Sequence, residues 1–254
     1  MKKRKLHIFG CSHSTACGID EKDSWYFKLA NKLKIDSYGR YGQTGMGSFN
    51  ILYDMMHRIN NNLINKNDIV ILNTSYSSRW SSVNIPQIDN NKNRFVEFVQ
   101  KIYESETLPQ DTVQMNEGEF DFKADSNTSI VFLQWIINTS FMYNTLKKYC
   151  DNVNIWFLDD VNDLKILSHT LNELDANNLD LGISSLNNLP ILFDVKEYGN
   201  DIIMPPNENT RNPYPDWHTW IQDNAIVGDG HMNKFAHHLF SEYINNHITQ
   251  KNTK

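Results

Sequence analysis

The stretch Asp68-Ile69-Val70-Ile71-Leu72-Asn73 most limits what this chain can become. Four consecutive apolar residues, three of them β-branched, sit between polar ends. Such a run reads as a strand buried on both faces, and strands of that kind belong to parallel sheets covered by helices. Leu6-His7-Ile8-Phe9 is a second run, stopped by Gly10. Asn154 to Leu158 is another, ending at Asp159-Asp160, and Ile35 to Tyr38 fits a short strand between them. The segments separating these runs carry helical spacing: 24–33, 49–64 and 128–149, with a last helix over 231–247. Asp23 or Ser24 suits the cap of the first. In the long helix Val131, Phe132, Trp135, Ile136, Phe141 and Leu146 are expected to face inward, and in the last helix Phe235, Leu239, Phe240 and Ile244. Ile191-Leu192-Phe193 fits a strand or a buried turn. Strands alternating with helices predict an α/β fold with a parallel sheet.

Residues 78–127 break the rhythm, being polar with scattered aromatics; an insertion or lid within one 254-residue domain is expected. The net charge is −6, and the only basic cluster is Lys2-Lys3-Arg4-Lys5, so a nucleic-acid-binding face is not expected. No apolar run approaches the roughly 18 residues of a membrane span. The apolar run after the basic start is only Leu6 to Phe9, too short for a secretory signal, so a cytoplasmic protein is expected. Three cysteines without a Cys-x-x-Cys pair fit a reducing compartment.

Three segments fall where such a sheet places a site, at the carboxyl ends of strands. Gly10-Cys11-Ser12-His13-Ser14 follows the first strand. A serine on a sharp strand-to-helix turn has an exposed hydroxyl beside backbone N–H groups, which suits a nucleophile; the plainer reading is a turn with Ser12 or Ser14 as a cap. Gly42 to Gly47 is a glycine loop before a helix, able to aim an N–H at a developing oxyanion, or simply to cap that helix. Gly228-Asp229-Gly230-His231-Met232-Asn233 opens the last helix, and a histidine with a carboxylate two residues earlier has the makings of an oriented general base. Asp216-Trp217-His218 has the same spacing and competes with it.

In this order the three segments resemble the blocks of the SGNH/GDSL hydrolase superfamily. Ile8 to Ser14 resembles the first block, with Ser12 at the nucleophile and Cys11 in place of the usual aspartate. Gly-Cys-Ser variants of phage and bacterial relatives are similar, often with a Ser-Trp helix start like Ser24-Trp25. Gly45 falls at the oxyanion glycine of the second block. Asp229, His231, Asn233 and His237 resemble the last block, with Ala236 where glycine is usual. The third block, Gly-x-Asn-Asp, is replaced by Leu72-Asn73-Thr74-Ser75, so Asn73, Thr74 or Ser75 is left to supply its oxyanion donor. The Asp-to-His gap is two residues rather than three.

The resemblance implies a three-layer α/β/α sandwich, SGNH or flavodoxin-like, and a serine esterase acting through Ser12, His231 and Asp229. Ser12, Gly45 and Asn73 would form the oxyanion hole. It implies no cofactor and no metal, and a small ester or O-acylated carbohydrate as substrate. A metal held by Asp229, His231 and His237 is disfavoured, since His231 and His237 are six apart on a helix. Trp80, Trp217 and Trp220, read as loop residues near the site, are candidate platforms for a sugar ring. An acyltransferase using the same residues, or a binding protein on the same scaffold, are the alternatives.

Overall fold

The computed structural model describes residues 3–42, 47–76, 79–84, 114–119, 126–159, 198–205 and 217–251, with backbone alone at 79–84, 114–119 and 126–134. Four strands form one parallel sheet: β1 (Leu6–Gly10), β2 (Tyr38–Gly42), β3 (Ile69–Asn73) and β6 (Asn152–Trp156). Their spatial order is β2-β1-β3-β6. Leu6 is in register with Tyr38 on one side and Ile69 on the other, and Ile69 with Asn152. Ile202 continues the sheet past β6 through a parallel bridge to Ile155. Every residue of β1, β3 and β6 is buried, and β6 begins and ends two residues before the strand expected over 154–158, taking in the buried Asn152 and Asn154.

β2 lies three residues later than Ile35–Tyr38. It is an edge strand of sequence Tyr-Gly-Arg-Tyr-Gly, only part-buried, so no apolar run marks it. Ile35 is still buried, but as the plug ahead of the strand. Residues 78–127 are not irregular throughout: β4 (Arg79–Asn84) and β5 (Gln114–Glu119) pair antiparallel.

Five helices are described: α1 (Trp25–Lys32), α2 (Ser48–Asn60), α3 (Ser126–Tyr149), α4 (Trp217–Asp223) and α5 (Lys234–Lys251). α1 packs with α5, and α2 with α3. The pleat assigns the faces. Trp156 points to the first pair, meeting Trp25 of α1 at 6.2 Å and Phe240 of α5 at 4.3 Å between ring centroids. The alternate residues of β1 and β2 face α2, where Arg58 lies 4.1 Å over the Tyr41 ring and Tyr41 packs on Phe9. Helices on both faces of a parallel sheet make the α/β sandwich.

Some predicted inward positions turn out. Phe141 is about half exposed and Phe235 is 62% exposed. α5 starts at Lys234 rather than His231, because the Asn233 side chain caps it, accepting from Ala236 N–H at 2.9 Å. Val131, Phe132 and Ile191 to Phe193 fall outside the residues whose side chains are described.

The strand order decides where a site can form. The chain steps from β1 out to β2, then returns across β1 to β3. Crossovers therefore diverge at the carboxyl ends of β1 and β3, the crevice where open α/β sheets bind ligands. Ser12 follows β1 and Asn73 ends β3.

Candidate active site

Gly10 permits the first turn. A Cβ there would fall 2.2 Å from Ser14 Oγ and 2.6 Å from Asn73 Cβ, so only glycine lets the ends of β1 and β3 close together. The chain then makes a 3₁₀ turn over Ser12–Ser14, with Ser14 N–H donating to Cys11 O and Thr15 N–H to Ser12 O. The two serines are treated differently. Ser14 is fully buried and its hydroxyl donates to Asn73 Oδ1 at 3.0 Å. Ser12 is 3% exposed, and its hydroxyl has no hydrogen-bond partner among the described residues. Of the pair, Ser12 is the one whose hydroxyl is not engaged in holding the turn.

Asn73 is oriented by its carbonyl end. Oδ1 accepts from Ser14 Oγ, from Cys11 Sγ at 3.3 Å and from Cys11 N–H at 3.4 Å. The Cys11 N–H can only donate, which fixes which amide atom is oxygen. The Nδ2 end is buried and unpaired among the described residues. Buried donors are nearly always hydrogen-bonded, so an amide held firmly at one end and vacant at the other needs a reason. Thr74 is engaged elsewhere, its hydroxyl and N–H both directed to Trp156 O. Ser75 Oγ is also buried and unpaired, while its carbonyl accepts from Trp135 Nε1.

The second half of the site comes from the loop before α5. Ala225 and Met232 form an antiparallel bridge, and Ile226 N–H donates to His231 O at 2.7 Å. Gly228 and Gly230 take φ of +80° and +74°, values that side chains disfavour. This double left-handed turn folds the Asp229 carboxylate back onto His231, Oδ1 to Nδ1 at 2.9 Å, despite the short two-residue gap. With Nδ1 held by the carboxylate, Nε2 is left for proton transfer.

The two halves meet. A Cβ on Gly18 would lie 2.6 Å from Ile226 Cδ1 and 3.2 Å from Asp229 Oδ2, so the segment after the serine turn packs directly on the Asp-His loop. The His231 ring lies 5.3 Å from that of His13, the residue next to Ser12. His231 thus reaches the serine turn without a hydrogen bond to Ser12 in this structure.

His237 has a structural partner of its own. It is 1% exposed, and its Nδ1 accepts the Trp25 N–H at 3.1 Å, at the head of α1. Burial, with Lys28 and His231 nearby, lowers its pKa to about 4. It is a neutral acceptor for a helix end.

Trp217 and Trp220 lie on α4, not in loops, and both are 2% exposed. They pack edge-to-face at 5.3 Å, and each meets Phe240. Trp217 Nε1 donates to Ile203 O. Rings so enclosed have no face for a sugar; they are core. Gly45 and the Trp80 side chain lie outside the described residues.

Sequence reasoning missed two members of the cluster and undervalued a third. Tyr76 OH lies 2.9 Å from His218 Nδ1 and 3.4 Å from His13 Nε2. His218 had a signal, the Asp216-x-His218 spacing, although Asp216 itself lies outside the described residues. Nothing local marks Tyr76 or His13.

No family model matches the chain, and no curated protein matches it. Among solved structures it is similar to a member of the lipolytic protein G-D-S-L family from Veillonella parvula, with 11% identity over 96% of this chain and 97% of that one and a TM-score of 0.41. It is also similar to a lipase from a goat rumen metagenome, with 11% identity, the same coverages and a TM-score of 0.46. An acetyl xylan esterase from the rumen bacterium Butyrivibrio proteoclasticus aligns with 98% of this chain and 64% of its own, at 15% identity and a TM-score of 0.43.

Proposed function

We propose that the chain is a serine ester hydrolase acting through Ser12, His231 and Asp229. The observation that carries this reading is the Asp229–His231 pair at 2.9 Å, packed on the serine turn at the crevice between β1 and β3. His231 Nε2 would take the Ser12 proton as Oγ attacks the carbonyl carbon, and Asp229 would steady the imidazolium that results. The unpaired Asn73 amide lies at the end of the neighbouring strand, where it would donate to the oxyanion along with the N–H of Ser12 and that of Gly45. One such donor is worth roughly 3–4 kcal/mol of barrier. His231 then returns the proton to the departing alcohol, and water attacks the acyl-serine to release the acid.

An O-acyl group on a carbohydrate is the proposed substrate class. It rests on the resemblance of the Ser12, Gly45 and Asp229-x-His231 segments to the SGNH/GDSL blocks.

The experiment is hydrolysis of p-nitrophenyl acetate by the purified protein beside Ser12→Ala and His231→Ala. Turnover lost in both, with circular dichroism unchanged, is the expected result. Turnover that survives Ser12→Ala removes Ser12 as nucleophile. Repeating the assay with added sugar acceptors separates hydrolysis from transfer, because a transferase makes the acylated sugar in preference to free acid.

A further inference from the structure

After the serine turn the chain runs through residues 15–18, and both ends of this short strap are fastened to the site. At one end Thr15 grips Ser12. Its hydroxyl donates to Ser12 O at 2.6 Å, and its N–H donates to the same oxygen at 3.0 Å. A carbonyl oxygen can only accept, so the one hydroxyl proton of Thr15 is committed there. The Cys17 S–H is therefore the donor in its 2.9 Å contact with Thr15 Oγ1. That second bond resists rotation of the hydroxyl away from Ser12. Thr15 is buried, which shields both bonds from water.

At the other end Gly18 lies against the Asp229–His231 loop. Ile19 N–H donates to Ala16 O at 3.2 Å, closing a turn whose third residue, Gly18, takes φ of +74°. A Cβ there would fall 2.6 Å from Ile226 Cδ1 and 3.2 Å from Asp229 Oδ2. Ile226 N–H in turn donates to His231 O. Thr15, which holds the nucleophile's peptide, and Gly18, which packs on the base's loop, are three residues apart and joined by hydrogen-bonded turns.

We propose that Thr15 is a positioning residue for the Ser12 nucleophile, and that the strap from Thr15 to Gly18 sets the separation of Ser12 from His231. This rests on the Ser12 hydrolase reading and adds what holds its two halves at working distance. Two donors on one carbonyl hold the Ser12 peptide and limit how far its Cα–Cβ bond, and so its hydroxyl, can swing. Thr15 acts through Ser12 and Gly18 through the Asp229 loop. Such control matters because a misplacement of about 1 Å between reacting groups can cost about 100-fold in rate.

The test measures kcat and KM for p-nitrophenyl acetate in the parent, Thr15→Val and Thr15→Ser. Valine matches threonine in shape and removes the hydroxyl bonds, while serine keeps them. Thr15→Val is expected to lower kcat about tenfold, the scale of one buried hydrogen bond, with KM within about twofold of the parent. Thr15→Ser is expected to return most of kcat. Gly18→Ala is also expected to lower kcat, and adding Ile226→Val, which removes the Cδ1 atom that the new methyl group meets, should restore part of it. Thr15→Val with the parent's kcat, or with no more loss than Thr15→Ser, overturns the proposal while Ser12-dependent turnover stands. A loss carried by KM alone does the same. Should Gly18→Ala fold poorly, the two Thr15 variants, with melting temperatures matched to the parent, decide the question. Turnover that survives Ser12→Ala overturns the hydrolase reading, and this proposal with it.

Discussion

Asn73 shows how one side chain serves structure and chemistry at once. Its carbonyl end gathers three donors from the turn after β1, which ties the ends of β1 and β3 together. Its amide nitrogen has no partner among the described residues. Asn73→Asp keeps the acceptor and replaces the donor by a second oxygen. Assayed at pH 8 or above, kcat on p-nitrophenyl acetate is expected to fall about 10²–10³-fold, the usual cost of one lost oxyanion donor. An unchanged kcat in a folded variant would leave the role to Ser75, the other buried and unpaired donor nearby. At this scale the sequence was readable wherever partners are close along the chain. Asp229 and His231 are two residues apart, and two glycines show how the turn is made. Tyr76 and His218 are 142 residues apart, and no local pattern can pair them.

Helix ends carry the element-scale argument. The α1 head is held by two acceptors: Ser24 Oγ takes the Phe27 N–H at 3.3 Å, and His237 Nδ1, from α5, takes the Trp25 N–H. Only a neutral imidazole can accept there. Burial lowers the His237 pKa from 6.5 to about 4. Between those values the unfolded chain binds the proton and the folded one resists it. Stability from this residue is thus complete above about pH 6.5, falls as pH drops toward 4, and is constant below that. The span corresponds to about 3 kcal/mol. His237→Asn keeps an acceptor and does not titrate, so urea unfolding from pH 7 to 4 should show a shallower loss than in the parent. His7 and His247, whose pKa values burial also lowers, act in the same direction, and the difference between parent and variant isolates His237. Parallel curves would mean that folding leaves the titration of His237 unchanged. Ser24 as a cap was legible, because capping is local. The contribution of His237 was not, because it crosses 212 residues.

Across the whole molecule, Asp201 does what no local motif announces. It is 6% exposed and lies just before Ile202, which continues the sheet. Lys147 and Tyr143 of α3 donate to its Oδ2 at 2.8 and 2.7 Å, and Lys251 of α5 pairs with Oδ1 at 2.6 Å. Lys251 also donates to Val153 O of β6. One carboxylate thereby joins helices from opposite faces of the sheet. Burial alone would raise its pKa, but the hydrogen bonds from Lys147, Lys251 and Tyr143 hold it below the usual value. Asp201→Asn leaves the two cations without their counter-charge and should cost about 3 kcal/mol in urea unfolding. That is the low end for a broken buried pair, because Lys147 is partly in water. A loss under about 0.5 kcal/mol would mean that the cations simply rehydrate.

What the sequence determined by itself was whatever depends on neighbours along the chain. The buried strands β1 and β3 follow from their apolar runs, β6 from its run only to within two residues, and the α/β class from the alternation. The serine turn and the Asp229-x-His231 pair follow from short spacings, where covalent geometry brings the groups together. The tertiary structure alone decided the rest. It moved β2 to Tyr38–Gly42, because an edge strand buries too little to need an apolar run. It enclosed Trp217 and Trp220, because the Phe240 cluster offered their rings more burial than a crevice does. It put Tyr76 between His13 and His218, because side-chain contacts across long loops are set by how the strands order themselves.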